Sequence, residues 1–311
     1  MNKILVTGVD GFLGHSLYHK LQGRFKECEI YGSCRPFKEK HINTNYINPR
    51  YILNCDFSSE KDIVDLVMAI KPNIIIHCAG KPNVDYVEAN QEESYATNVK
   101  PLEIIQKLNP NILFVFISTN AVFDGTVPPY TEESQVNPLS AYGRQKLEGE
   151  IVVKHFKDWL IVRPILLYGY PQSWMRENIV SLTIKNLIDN KNMDVVHDVH
   201  STPLYIEDCS EMIIRLISSY AYNNVYLLGG PERTDIYSFA FKVLEQYRNR
   251  VNRTKSEITP IESDKFFPVK RPRDCSYNIS KVVKVAKYVP CNLDNGIRQT
   301  LNNFMGVQEI I

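Results

Sequence analysis

The 311-residue sequence lacks several features that mark particular classes of protein. No apolar run approaches the ~18 residues of a membrane-spanning helix, so we expect no membrane partner. The first hydrophobic segment begins at residue 2, so we expect no signal peptide. The net charge is only +1, whereas nucleic acids and anionic membranes attract basic proteins. These absences favour a cytoplasmic protein that does not bind nucleic acid.

Cysteine is sparse and unpatterned, with seven residues and no C-x-x-C spacing. Disulfide scaffolds and zinc sites need an even or regularly spaced set, so we expect reduced thiols that serve in packing. His197 and His200 flank Asp198, but the segment around them offers no further ligands, and zinc needs three or four. The sequence therefore predicts no metal site.

The N-terminus carries a strand, three spaced glycines and a helix. A hydrophobic run over 2–7 leads into Gly8, Gly11 and Gly14, after which leucines recur every four residues. In a dinucleotide-binding loop, such glycines permit a tight turn, close approach of the pyrophosphate and close packing of helix on strand. The helix N-terminus then offers free N–H groups to the phosphates. The segment therefore predicts a dinucleotide-binding loop.

Strands and helices alternate down to about residue 165. Five further apolar runs indicate strands, at 29–34, 51–55, 74–78, 111–117 and 159–163. This alternation is typical of an α/β protein with a doubly wound parallel sheet, a Rossmann fold, whose ligands bind at the carboxyl ends of the strands. We expect a dinucleotide-binding domain over 1–165, with a return segment near 196–220, and a smaller, mainly substrate-binding C-terminal lobe over 166–311.

Tyr142 and Lys146 lie four residues apart and therefore share one face of a helix. A tyrosine normally loses its proton near pH ~10, and a cationic neighbour lowers that pKa because it stabilises the phenolate. The pair is suited to move a proton on or off an alcohol oxygen. Ser118 and Thr119 stand at the end of an apolar run upstream.

Together these motifs resemble the extended short-chain dehydrogenase/reductase family over nearly the whole chain. The matching motifs are Thr7-Gly-x-x-Gly-x-x-Gly14, Ser118-Thr119 and Tyr142-x-x-x-Lys146. More narrowly, the dTDP-4-dehydrorhamnose reductases are similar over residues 77–88, 117–125, 129–133, 137–143 and 271–278. The same stretches also resemble the non-catalytic beta subunit of methionine adenosyltransferase.

The resemblance implies NADPH-dependent reduction of a nucleotide-linked 4-keto-6-deoxysugar. Thr119, with Ser118 beside it, would bond the keto oxygen, and Tyr142 would donate the proton. Lys146 would hold the nicotinamide ribose and keep the tyrosine pKa low. The implied cofactor-binding residues are Gly8, Asp10, Gly11, Phe12, Leu13, Gly14, Arg35, Asp56, Phe57, Cys78, Ala79 and Gly80, with Tyr142 and Lys146. The expected substrate-binding residues are Val84, Asp85, Ser118, Arg271 and Arg273.

Two of these expectations rest on local chemistry. The second predicted strand ends without an acid, at Gly32-Ser-Cys-Arg35, whereas NAD sites usually carry Asp or Glu there for the ribose 2′-OH. Because Arg35 can pair bidentately with a 2′-phosphate, we expect NADP(H) to be preferred, with NAD(H) possible. Asp56 has two open roles, contact with the adenine or capping of a helix with Ser58 or Ser59.

Departures from the family leave the substrate open. Asn120 and Ala121 stand where many such reductases have Asp-Tyr, and Leu166 stands where an aromatic is common. Two alternatives remain: a sugar-nucleotide epimerase or epimerase/reductase, and a cofactor-binding regulatory subunit that assembles with a synthetase. Retention of Thr119, Tyr142 and Lys146 together favours an enzyme. Its expected partner is a nucleotide sugar, and a homodimer is an open alternative to a monomer.

Overall fold

The computed structural model describes residues 2–35, 51–251 and 255–308. Within these ranges the central strands are β1 (Lys3–Thr7), β2 (Glu29–Cys34), β3 (Ile52–Asn54), β4 (Ile74–His77), β5 (Leu113–Ile117), β6 (Asp158–Pro164) and β11 (Asn224–Leu228). They form one parallel sheet in the order β11-β6-β5-β4-β1-β2-β3. The order reverses between β1 and β4, where such sheets bind ligands. The predicted doubly wound α/β fold is confirmed.

Helices cover both faces of this sheet. On one face α1 (Phe12–Arg24) packs against α8 (Ile206–Ser218). On the other face lie α2 (Glu60–Ile70), α5 (Lys100–Leu108) and α6 (Ala141–Val153), with α3 (Val84–Ala89) and α4 (Gln91–Asn98) leading into them. The first hydrophobic core lies under α1 and α8, and the second lies under α2 and α5 on the opposite face of the sheet. In β1, Ile4 and Val6 belong to the first core, and Leu5 belongs to the second. Because alternate side chains of a strand point to opposite faces, one strand stabilises both layers.

The region after residue 166 is built from short strand pairs and helices. Its strands are β7 (Leu167–Tyr168), β8 (Met193–Val196), β9 (His200–Ser201), β10 (Leu204–Tyr205), β12 (Thr234–Asp235) and β13 (Ile258–Ile261). Its helices are α7 (Ile179–Ile188), α9 (Ile236–Arg248), α10 (Ser280–Ala286) and α11 (Leu293–Gln308). β7 pairs with β10, β8 with β13 and β9 with β12.

The central sheet also draws on this later region. The expected return segment, 196–220, contains α8, and β11 lies just beyond it and pairs with β6. The domain boundaries at 165 and 166 stay a prediction. Among the described residues no helix has the length and apolar character needed to cross a membrane. All seven cysteines are described, and each is free.

Candidate active site

The loop between β1 and α1 is shaped by glycines that approach other backbone atoms. Gly8 has φ +67°, and a Cβ on it would lie 2.9 Å from the nitrogen of Ala79. A Cβ on Gly14 would lie 2.2 Å from the carbonyl oxygen of Gly8. Gly11 is the N-cap of α1, and no side chain of the described residues caps that helix. The first N–H groups of α1 are therefore available to a phosphate.

One hydroxyl ties the ends of β1 and β4 together beside this loop. Thr7 Oγ1 accepts hydrogen bonds from the backbone nitrogens of Cys78 (3.1 Å) and Ala79 (3.0 Å), and it lies 3.1 Å from His77 Nδ1. Cys78 and Ala79 are half-buried, and Gly80 is exposed. The segment after β4 thus passes close to the glycine loop, at the reversal point of the sheet.

Three charged residues gather at the ends of β1, β2 and β3. Exposed Arg35 lies close enough to Asp10 and Asp56 for its charge to lower the pKa of each carboxyl. Burial nevertheless raises the pKa of Asp10 overall. Asp56 Oδ1 accepts from Ser58 N (2.9 Å) and Ser58 Oγ (2.7 Å), which lowers the pKa of Asp56 and forms the turn before α2. The contact of Asp56 with adenine stays a prediction.

Two residues expected at the cofactor turn their side chains into the core. Leu13 is 8% exposed among the residues of the first core, and Phe57 is 4% exposed, with its ring centroid 5.3 Å from that of His77. Only their backbone groups can therefore reach a ligand in the crevice. Phe12, by contrast, is half-buried. Burial lowers the pKa of His77 to about 3, so this ring is neutral.

The residues expected to be catalytic come together at the end of β5. Thr119 follows the strand, Tyr142 and Lys146 lie on α6, and the Thr119 hydroxyl is close enough to Tyr142 to influence its pKa. Burial raises the pKa of Tyr142 to about 12, opposed only in part by Thr119. Burial lowers the pKa of Lys146 to about 8, opposed by the Glu150 carboxylate. The Lys146 nitrogen lies 4.0 Å from the centroid of the Phe116 ring.

These pKa values correct one expectation. A lowered tyrosine pKa was predicted from the cation alone, but burial dominates, and the direction is upward. The sequence shows the pair and not how much water surrounds it. At neutral pH Tyr142 therefore keeps its proton and can act as a donor.

Local contacts fix where α6 begins. Ser140 is the N-cap and accepts from Gly143 N at 3.2 Å, so Tyr142 lies in the first turn. A Cβ on Gly143 would lie 2.3 Å from the carbonyl oxygen of Ala121, so glycine allows α6 to touch the turn that follows Thr119. Glu88 Oε2 of α3 accepts from the backbone nitrogen of Ala141 (2.7 Å).

Asn98 of α4 braces the same helix. Its Nδ2 donates to Gln145 Oε1 of α6 (2.9 Å), and its Oδ1 accepts from the backbone nitrogen of Lys81 (2.7 Å). Asn98 is 3% exposed. The segment after β4 and the helix that carries Tyr142 are therefore held together by one amide.

The side chain of Ser118 points inward. Its hydroxyl donates to Glu150 Oε1 at 2.5 Å, and Glu150 also accepts from Arg163 Nε (2.8 Å) and Nη2 (2.7 Å). Ser118 is 3% exposed, and its contact with a substrate stays a prediction. Sequence reasoning missed Glu150 and Arg163, although charged residues at core-facing positions were a usable signal.

The expected substrate residues Asp85 and Arg271 pair across the cleft. Arg271 Nη2 donates to Asp85 Oδ2 at 2.7 Å, and the guanidinium lies 3.9 Å from the centroid of the Phe267 ring. Asp85 Oδ1 and Arg271 Nε are buried without a hydrogen-bond partner among the described residues. Half-buried Val84 begins α3. Arg176, which sequence reasoning missed, is near enough to add to the lowering of the Arg271 pKa that burial causes.

Arg273 pairs with other carboxylates than Arg271 does. Its guanidinium pairs with Asp198 and with Asp264 (2.6 Å), and Glu262 is 4.0 Å away. The binding of a diphosphate by Arg273 stays a prediction. The described residues include no group of three or more His, Cys, Asp or Glu side chains that could hold a metal ion.

The chain is similar to known proteins over nearly its whole length. The family described as RmlD substrate binding domain matches residues 1–305. Among curated proteins, methionine adenosyltransferase 2 subunit beta of Xenopus tropicalis is 27% identical over 322 residues, covering 97% of this chain and 88% of that protein.

Two solved structures are similar along the whole chain. The dTDP-4-dehydrorhamnose reductase of Bacillus anthracis in complex with NADP is 24% identical with a TM-score of 0.79, covering 97% of this chain and 100% of that one. The UDP-glucuronic acid 4-epimerase of Bacillus cereus, in complex with UDP-glucuronic acid and NAD, is 20% identical with a TM-score of 0.81, covering 98% and 99%. These likenesses establish the fold.

Proposed function

The chain belongs to the RmlD substrate binding domain family, within the extended short-chain dehydrogenase/reductases, and from this membership we propose an NADPH-dependent reductase of a nucleotide-linked 4-keto-6-deoxysugar. One observation carries the proposal: a protonated Tyr142, near Thr119 and one helical turn from Lys146, stands at the carboxyl end of the sheet. The glycine loop lies at the same end.

The crevice fits a dinucleotide. Gly8 and Gly14 leave no space for side chains between the loop and its neighbours, and the free N–H groups of α1 suit a pyrophosphate. Arg35, at an end of β2 that bears no acid, favours a 2′-phosphate and hence NADP(H) over NAD(H). When bound, the nicotinamide supplies the hydride.

The chain's own residues then handle the oxygen. Thr119 and Tyr142 donate hydrogen bonds to the ketone oxygen, which polarises the carbonyl. As the carbon gains the hydride, the Tyr142 proton passes to that oxygen and completes the alcohol. Lys146 binds ribose hydroxyls and stabilises the tyrosinate until it regains a proton from solvent. General acid catalysis of this kind contributes about 10²–10⁴-fold in rate.

The nucleotide end of the substrate would bind on the opposite side of the cleft. Arg271 and Arg176 place two positive charges near each other there, which suits a diphosphate. Asp85, with one buried oxygen unpartnered in the described structure, would accept from a sugar hydroxyl. Ala121 and Leu166 leave the pocket without the aromatic groups common in such reductases, so the identity of the ketosugar is a question for a substrate panel.

The test is consumption of NADPH, followed by absorbance, with a panel of dTDP- and UDP-linked 4-keto-6-deoxyhexoses. We expect consumption with at least one member and none with dTDP-glucose or UDP-glucose, which have no ketone. Tight NADP binding without turnover of any ketosugar would contradict the proposal. A product that is a stereoisomer of its substrate, formed without net loss of NADPH, would instead identify an epimerase.

A second candidate function is favoured by the similarity to methionine adenosyltransferase 2 subunit beta. In that case the chain would bind NADP and assemble with a synthetase without catalysis. Affinity purification of the tagged chain from cells expressing a methionine adenosyltransferase distinguishes the two. A stoichiometric complex, together with no ketosugar reduction, would favour the subunit.

A further inference from the structure

The site is underlain by a buried ion pair that the reaction itself does not use. Glu150 is 1% exposed and Arg163 is 5% exposed, and two hydrogen bonds of 2.8 and 2.7 Å join them. Removing two charges from water costs several kcal/mol per ion, and apolar residues of similar volume often serve stability as well. Stability alone therefore does not account for the pair, which points to a further role.

The location of the pair suggests that role. Glu150 lies four residues after Lys146, so the two share a face of α6. Its third hydrogen bond comes from Ser118, the neighbour of Thr119 at the end of β5, and Arg163 lies in β6. One carboxylate thus joins the helix of the proton donor to the ends of two strands.

We propose that Glu150 is a positioning residue of this site, which fastens α6 to β5 and β6 and supplies the buried negative charge that Lys146 faces. The inference concerns how the residues are held, and its catalytic consequence rests on the proposed function. Ser118 would act within it as the link to Thr119.

The surroundings of Lys146 support the proposal that Glu150 supplies a buried negative charge to it. Lys146 is 8% exposed and lies over the Phe116 ring of β5. Its charge is close enough to influence the pKa values of His77 and Cys78, and Glu150 on its own helix influences the pKa of Lys146. Burial lowers the pKa of Lys146 to about 8, and Glu150 is the largest influence in the opposite direction.

Loss of Glu150 should therefore lower the pKa of Lys146. Without its negative charge, Lys146 releases its proton at a lower pH and is less fully charged near neutrality. Among the described residues, Glu150 also interacts with Arg163, which it holds, and with Tyr277, whose pKa Arg163 and Glu150 both influence. A neutral Lys146 would stabilise a tyrosinate less well.

The first experiment measures Lys146 directly and requires no turnover. Acetic anhydride acetylates neutral amines, so the extent of labelling of Lys146 against pH, read by peptide mass spectrometry, gives its protonation midpoint. We compare the wild type with Glu150→Gln and with Glu150→Met/Arg163→Met, which leaves no uncompensated guanidinium. Both should lower the midpoint by about one pH unit.

Asp208→Asn is the matched control. This carboxylate is also buried, at 6% exposure, and accepts from Tyr288 (2.5 Å) and from Cys291 N (2.9 Å), away from Lys146. It should leave the midpoint unchanged. An unchanged midpoint in the folded Glu150 variants overturns the proposal, as does failure of both variants to fold, since the pair would then be a requirement of folding.

Activity adds a separate readout. In the Glu150 variants, kcat for ketosugar reduction should fall at least about tenfold with little change in KM, and its decline at high pH should begin about one unit lower. An unchanged kcat and pH profile would remove the positioning role. If the wild type reduces no ketosugar, the proposed function fails, and the acetylation midpoint still decides whether Glu150 holds the charge on Lys146.

Discussion

The two sides of the cleft are built by different means. On the sheet side, Thr7, Thr119 and Tyr142 are set by strand ends and by the capped start of a helix. On the other side, Arg271 and Arg273 stand two residues apart and pair with carboxylates 186 and 75 positions away in the chain. Regular backbone places the first group, whereas partners remote in sequence place the second.

The largest expected effect is on the sheet side. Tyr142→Phe removes the proton donor but leaves the ring, so kcat should fall about 10²–10⁴-fold while NADP affinity stays unchanged. Steady-state kinetics and a binding titration measure the two. Tyr95→Phe is the control, because that hydroxyl of α4 bonds Glu148 (2.6 Å) outside the site. Retention of more than a tenth of the activity by Tyr142→Phe would speak against a tyrosine donor.

The next effect tests the backbone contact that builds the loop. A Cβ on Gly14 would lie 2.2 Å from the Gly8 oxygen, whereas nothing lies within 4 Å of a Cβ on Gly23, in the same helix. Gly14→Ala should lose at least about 2 kcal/mol of unfolding free energy, with weaker NADP binding. Gly23→Ala should gain about 0.5–1 kcal/mol. Equal stabilities of the Gly14→Ala and Gly23→Ala variants in urea denaturation would show that the loop adjusts to the added methyl group at little cost in free energy.

A third prediction concerns the stability of the fold at acidic pH. His77 has its pKa lowered to about 3 by burial, below its ordinary value of 6.5. Its contribution to stability is therefore complete above pH ~6.5 and declines as pH falls toward 3, by about 2 kcal/mol between pH 7 and pH 5. His15, also lowered, to about 4, adds in the same direction. Urea denaturation should show a shallower pH slope in His77→Gln, and an identical slope would mean that His77 is accessible to protons when folded.

The smallest expected effect concerns the C-terminal side of the site, where Arg271 and Arg273 should differ. Arg271→Gln should raise the KM for the nucleotide sugar at least about tenfold, since a charge-assisted contact to an anion is worth about 1.5–3 kcal/mol. NADPH affinity should be unaffected. Arg273→Gln, whose guanidinium is engaged by Asp198 and Asp264, should leave KM within about twofold and change stability by no more than about 1 kcal/mol. Equal changes in KM would mean that both arginines reach the substrate.

The sequence was sufficient to predict the features that depend on regular backbone structure. The glycine loop, the parallel strands and the shared face of Tyr142 and Lys146 follow from spacing alone, and the structure has them as predicted. The seventh strand, β11, was not identified, because its apolar run lies beyond the region of clear alternation.

What could not be predicted depends on burial and on remote partners. The direction of the Tyr142 pKa follows from how little water surrounds it, and the inward turn of Ser118 follows from Glu150, 32 positions away. Arg176 and Arg273 are surface arginines whose neighbours come from other segments. No periodicity specifies such pairings, since they depend on the folded path of the chain.

β11 is synthesised well after β6, and this delay has a consequence for folding during translation. Asn224, where β11 begins, follows Pro164 by 60 positions, so β6 emerges from the ribosome well before its neighbour. At about 5–20 residues per second, translation of that stretch takes roughly 3–12 s, during which the β6 edge has unpaired N–H and C=O groups. Exposed edges of this kind recruit other strands. A truncated product ending near residue 165 is therefore a candidate for aggregation, and chaperone binding during synthesis should concentrate in this interval.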